Sequence, residues 1–366
     1  MNAIERFARW AILAPLATAL LPPAFFFTAM PVTAVRAAGQ EQLFVAVPGD
    51  LAVGAYTLTG GTVNPALVTG LNIPYDEVVV GNDLYVVNFG NGMAGAGTVG
   101  RYNAISGAPI DLSFITGLNG PVSLAASGGA LYVSNFVGGT VGKYDATTGT
   151  AINSSLVLGL IDPFGVAVSG NELYVVNQGN GGPGSNTIKT FDASNGALHN
   201  PAFVSGLNVP ADIAVSGGYL YVVNNAINHA TLTDGIGTVG KYDAATGATV
   251  NASLISNLSS PVGVALSGND LFVSNSYDFS QGIDFNQGTV GEYDATNGAA
   301  LNPSLITGLN VPLGLAIGTV PEARQWLMVG AVAMGAMGVN WARRRTRDRV
   351  EFPYPMTASS LAARRP

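Results

Sequence analysis

Few side chains in this 366-residue chain could do chemistry. There are two histidines, His199 and His229, and no cysteine. His229 lies in a long insertion with Asp234 nearby, too small a set to specify a metal centre or an acid–base pair. A second insertion carries Tyr277, Asp278, Phe279, Asp284 and Phe285. Its aromatic faces suit stacking on a sugar ring, and its two carboxylates suit a weak calcium site. The simpler alternative is a solvated loop without a ligand. His199 falls between a turn and a strand, where a solvent-exposed role suffices. Asp76, Glu77 and Asp212 lie on the segments leading into repeats, a thin set for a metal-dependent enzyme. The chain has neither the Gly-x-Ser-x-Gly phrase of a serine nucleophile nor a Gly-Lys-Ser/Thr phosphate loop. No catalytic residue is therefore assigned. Calcium at Asp278 and Asp284 is the one cofactor the residues suggest, and His229, Asp234, Tyr277, Phe279 and Phe285 are the candidate ligand contacts.

These residues hang on a repeat. Versions of Leu-Tyr-Val-Val-Asn begin at Leu43, Leu84, Leu131, Leu173, Leu220 and Leu271, spaced 41, 47, 42, 47 and 51 residues apart. Such spacing matches four-stranded propeller blades. Each copy reads as three strands, and a fourth segment, Pro-x-Gly-Val-Ala-Val, leads into the next copy. Asn88, Asn135, Asn177, Asn224 and Asn275 close the Leu-Tyr-Val phrase, where asparagine ends strands by turning on its own backbone. Asp145, Asp192, Asp243 and Asp294 precede Thr-Gly or Asn-Gly turns and are expected to cap them. The body starts at a second strand (Leu43-Phe44-Val45) and ends with a lone first strand (Pro312 to Ile317). Pairing the two would close an all-β ring of six blades over residues 43–318 and remove the free sheet edges. The long insertions follow the second strands and therefore emerge on one face, the expected ligand face.

Composition supports a folded body of unusual charge. Glycine is abundant at 48 residues and only 10% of residues are charged, yet 48% are hydrophobic. That is enough apolar surface to offset the entropy of ordering. Between Gln40 and Val320 there are 4 Lys and Arg against 18 Asp and Glu. An acidic surface without basic patches excludes a nucleic-acid partner.

The other basic residues sit at the two ends. Arg6 and Arg9 precede an apolar run from Trp10 to Met30, and Val35-Arg36-Ala37 offers a cleavage site, so residues 1–38 read as a signal peptide cut after Ala37. An uncleaved anchor is the alternative. Near the other end the apolar run Trp326 to Ala342 precedes Arg343, Arg344 and Arg345 and reads as a membrane helix. Basic residues outside both runs place the acidic body across the membrane.

The order Pro-x-Gly-Val-Ala-Val, Leu-Tyr-Val-x-Asn, Val-x-x-Tyr-Asp resembles NHL-repeat propellers and the related gluconolactonase-like propellers. The calcium-holding carboxylate set of the latter has no counterpart here. Val320-Pro321-Glu322, the apolar run and the arginines resemble a PEP-CTERM sorting segment over residues 320–349, with membrane helix 326–342. Ala323 replaces the second proline, and residues 350–366 extend beyond as an expected disordered tail. The resemblance implies processing by signal peptidase and an exosortase-like enzyme in bacteria that make extracellular polysaccharide. The expected protein is an exported, surface- or matrix-associated, non-enzymatic propeller that binds polysaccharide or protein. The alternatives are a metal-dependent lactonase or lyase, and a purely structural matrix protein.

Overall fold

The computed structural model describes residues 39–321 except 92, 180–184, 226–236 and 277–286. Within them the chain forms six four-stranded antiparallel sheets arranged as the blades of a propeller. Blade 1 is composite. Its first strand is Leu315–Val320, and its other three are Gln40–Val47, Ala52–Thr57 and Thr62–Thr69. The closing pair is antiparallel, with Phe44 opposite Ala316 and Gln40 opposite Val320. Blades 2 to 6 begin with the first strands Pro74–Val80, Pro121–Ser127, Pro163–Ser169, Pro210–Ser216 and Pro261–Ser267. The ring is thus closed as expected. The strands reach Gln40 and Val320, slightly beyond the repeat, and the closing strand itself begins at Leu315 rather than Pro312. One short 3-10 turn, Pro48–Asp50, is the sole helical element among the described residues. No helix there is long and apolar enough to cross a membrane. The expected signal segment to Ala37, the helix 326–342 with Arg343, Arg344 and Arg345, and residues 350–366 lie outside the described residues.

The second strands are buried on both faces rather than on one. Leu84, Val86 and Val87 are inaccessible and Tyr85 nearly so, because each sheet is sandwiched between two neighbours. Apolar clusters accordingly lie between blades: one joins Tyr85, Val87 and Phe114 of blade 2 to Leu131, Val133 and Tyr144 of blade 3. In the four phrases that carry it, the tyrosine also reaches polar backbone of the next blade. Tyr85, Tyr132, Tyr174 and Tyr221 donate to the carbonyls of Ala146, Ala193, Ala244 and Ala295, at 2.5, 3.0, 2.7 and 3.1 Å. Lys143 Nζ also donates to Ala193, at 2.9 Å. Tyr85→Phe should therefore cost about 1–3 kcal/mol by leaving a buried carbonyl unmet, and Tyr132→Phe less, because the lysine remains. Urea midpoints of the two variants check this ordering.

The turn aspartates behave as expected. Asp145 accepts the backbone N–H groups of Thr147 and Thr148, at 2.9 and 2.8 Å, and the Thr148 hydroxyl. Asp192 is held down to about 2, first by the Ser194 hydroxyl. The lowered value means this turn contributes stability above the ordinary carboxylate range and loses it as pH falls toward 2.

The asparagine ring is structural in a different way. Asn88, Asn177 and Asn224 accept the backbone N–H of Asn72, Ile161 and Asn208, each 16 residues earlier, at 3.2, 3.1 and 3.1 Å. Asn88, Asn135, Asn224 and Asn275 donate to Thr98, Thr140, Thr238 and Thr289. They tie the blade-linking segment to the third strand, and none has a left-handed backbone.

Candidate ligand-binding mouth and central channel

The first strands line the axis, and in blades 2 to 6 the recurring proline starts them on the insertion face. Just past the proline of blades 2 to 6 the pairing register slips, a bulge that re-aims the next side chains. Blade by blade the same positions then form levels down the axis. The first level comes from the residue after each second-strand asparagine: Phe89, Phe136, Gln178, Asn225 and Ser276. The second follows the proline: Tyr75, Val122, Phe164, Ala211, Val262 and Leu313. The third is Asp76, Ser123, Gly165, Asp212, Gly263 and Gly314.

The first two levels shape a mouth of about 660 Å3 on the insertion face, lined by Tyr75, Phe136, Phe164, Gln178, Asn225 and Ser276 among others. Its two sides differ. On one, Phe89, Tyr75, Phe164 and Phe136 form a continuous aromatic chain, with centroids 5.3, 6.4 and 5.5 Å apart. On the other, amides and a hydroxyl cross to the next blade's proline carbonyl: Gln178 to Pro210 at 3.3 Å, Asn225 to Pro261 at 2.9 Å and Ser276 to Pro312 at 2.8 Å. The Asn225 Oδ1 is buried and has no hydrogen-bond partner.

Below the mouth the channel narrows to about 20 Å3, lined by Tyr75, Asp76, Ser123, Phe164 and Asp212. The glycines of the third level keep this narrowing open: a Cβ on Gly165 would meet Asp212 at 2.7 Å, and one on Gly314 would meet Asp76 at 2.5 Å. Asp76 and Asp212, three blades apart, therefore face each other across the axis. Both are tied down. Asp76 accepts the N–H of its neighbour Glu77 at 2.9 Å and of Leu124 in blade 3 at 3.0 Å, and Asp212 accepts that of Val264 in blade 6 at 2.9 Å. Burial, then the nearby Asp212 charge, pushes Asp76 up to about 8, and burial pushes Asp212 up to about 6. Past them lies a chamber of about 240 Å3, which Glu77 also lines.

Glu77 occupies a position that is Leu124, Val166, Ile213, Val264 and Leu315 in the other blades, all buried core. It is 2% exposed, and neither carboxylate oxygen has a hydrogen-bond partner. Burial and the Asp76 charge raise it well above its ordinary range, against the pull of the nearby Ala46 and Ala316 backbone. Carboxyls raised by folding bind protons more tightly folded than unfolded, so stability falls as pH rises from about 4 toward 8. Glu77→Leu should flatten that decline and raise the melting temperature at pH 8 more than at pH 4.5. Thermal scans across this range measure it.

The candidates read from sequence fall unevenly on this site. His199 is exposed on an outer strand, with Nδ1 2.9 Å from Glu172. His229, Asp234, Tyr277, Asp278, Phe279, Asp284 and Phe285 lie outside the described residues, as do Glu322 and the arginines of the sorting motif. Val320 is buried in the closing strand and Pro321 follows it. Asn225 and Ser276, where two of those insertions depart, line the mouth. Among the described residues, no three His, Asp or Glu side chains gather to hold a metal.

The aromatic chain was not singled out from the sequence. Aligning the repeats would have shown Phe89 and Phe136 in the column after the recurring asparagine and Tyr75 and Phe164 in the column after the proline, but not that the two columns meet.

No protein-family profile matches the sequence, and no curated protein does so. Solved structures share the architecture. A chain of a nidogen/laminin complex is matched over 77% of this chain and all of its own length, at 14% identity and a TM-score of 0.58. The hydrazine synthase of Kuenenia stuttgartiensis is matched over 69% of this chain and 75% of its own, at 18% identity and a TM-score of 0.51. At these identities the likeness establishes a six-bladed β-propeller and nothing about its ligand.

Proposed function

We propose that this protein is an exported propeller, held at the cell surface or in the extracellular matrix, that binds polysaccharide or protein at the mouth without transforming it. The observation that carries this reading is the mouth itself. It is a rigid concavity of ligand size with an aromatic chain facing polar groups, framed by the stems of the longest insertions. The channel carboxylates favour binding over metal chemistry, since Asp76 and Asp212 already accept backbone N–H groups. Calcium, if bound, would sit at Asp278 and Asp284 in the last insertion. Export follows from the signal segment ending at Ala37. Processing by an exosortase-like enzyme follows from Val320-Pro321-Glu322 and the arginines, and the closing strand ends at Val320, so cutting beyond it would leave the ring intact.

The test is made in the native host. The protein should be recovered outside the cell, lacking both apolar ends by mass, and should bind the host's extracellular matrix. The pair Phe136→Ala and Phe164→Ala should weaken that binding about tenfold or more, as aromatic anchors do. Unchanged binding by the pair, or retention of the intact chain in the inner membrane, would overturn the reading.

A further inference from the structure

Resting on that reading of the mouth, we propose that its ligand is the lysine side chain of a protein partner, with the ammonium seated at the constriction between Asp76 and Asp212.

Size and shape argue first. The constriction, about 20 Å3, admits one group the size of a water molecule. An ammonium is that compact, whereas a guanidinium is a wide planar fork. Above it the aromatic rings of Tyr75, Phe164 and Phe136 give an aliphatic stem something to pack on and a cation a π face.

Charge argues next. None of the six first strands carries a lysine, arginine or histidine, so the opposed carboxylates have no counter-charge on the walls of the channel. A neutral sugar hydroxyl gains nothing from ionising these carboxyls, whereas a cation does. Asp76 already accepts a backbone N–H on each oxygen and a side-chain hydrogen bond from Ser123, which leaves capacity for a single bond from an ammonium rather than for a metal shell. At the lip, Asn225 lines the mouth and its buried Oδ1 lacks a donor, so a turn of the amide lets it accept a peptide N–H beside the lysine. The acidic body, 18 Asp and Glu against 4 Lys and Arg, steers a cationic partner toward it.

The proposal carries a pH signature. Among the described residues, the titratable groups around the constriction are Asp76 and Glu77 of blade 2 and Asp212 of blade 5, with Tyr75 and Asp162 in the mouth. Blades 1, 3, 4 and 6 place Gly314, Ser123, Gly165 and Gly263 at that level. An arriving ammonium favours ionised carboxylates, so binding releases protons to solvent and strengthens between pH 6 and 8.

The test is calorimetric titration of the full chain with a lysine-containing pentapeptide, its Nε-acetylated form and its arginine counterpart, in two buffers of different ionisation enthalpy. The lysine peptide should bind with proton release, and the other two at least about tenfold more weakly, beyond about 1.4 kcal/mol. Asp212→Asn should abolish the preference for lysine. Val262→Phe, which fills space at the mouth and the constriction while leaving both carboxylates in the chain, should weaken all three peptides. Equal binding of the acetylated peptide, or a preference for lysine that survives Asp212→Asn, would overturn the inference. Matrix binding that depends on Phe136 and Phe164 without lysine-peptide binding would sink the lysine while leaving the mouth. Loss of neither kind of binding in any mouth variant would sink both.

Discussion

Gly298→Ala should destabilise the ring by about 3–5 kcal/mol, while Gly170→Ala should cost about 1–2 kcal/mol. Both glycines have positive φ, at 78° and 60°, so both substitutions carry the left-handed penalty of an L residue. They differ in what the new methyl meets. At Gly298 it would lie 1.8 Å from the Leu254 carbonyl oxygen of the preceding blade, whereas at Gly170 nothing lies within 4 Å. A strand carbonyl cannot rotate away, so the turn of blade 6 must lift from blade 5 and loosen the cluster containing Leu254, Tyr293 and Ala295. The same approach recurs at Gly107, Gly149, Gly196 and Gly247, at 1.8 to 2.1 Å. These glycines therefore serve as blade spacers as well as turn formers. Guanidinium midpoints for the two variants measure the difference, and equal losses would show that only φ matters.

A chain ending at Asn310 should yield no cooperatively folded protein, whereas one ending at Pro321 should keep the intact ring's melting temperature. The shorter chain lacks the first strand of blade 1, and with it the buried Leu313, Leu315, Ala316 and Val320. At about 1.5–3 kcal/mol for each large side chain, the lost burial alone approaches the whole stability of a typical domain. It also bares the edge of Gln40–Val47, an otherwise buried apolar strand that would pair with other chains. Soluble expression and calorimetry of the two truncations decide it. A folded shorter chain would mean that the ring does not depend on its composite blade.

The architecture was legible because the repeat sets strand order, spacing and closure together. Leu43 opening on a second strand and Ile317 ending on a first left one simple way to remove both edges. The turn aspartates were legible because their bonds are local. The asparagine ring was not, since its partners lie 16 residues back on the blade-linking segment. The mouth was legible only as a face. Its aromatic chain joins Phe89, Tyr75, Phe164 and Phe136 from three blades, and their adjacency exists only once the ring closes. Asp76, Glu77 and Asp212 stood out as acids on first strands. That Glu77 replaces an aliphatic core residue, and that the two aspartates oppose each other, needed the register past each proline.

The account depends most directly on where the ligand touches the propeller. A photo-crosslinking residue is placed at Phe136, on the lip of the mouth, and in a second chain at Val168, which lines the chamber at the far end. Each protein is irradiated with the host's extracellular matrix. The account predicts a discrete crosslinked product from position 136, suppressed by excess unlabelled protein, and none from position 168. Products from position 168 alone, or equal products from both, would contradict it.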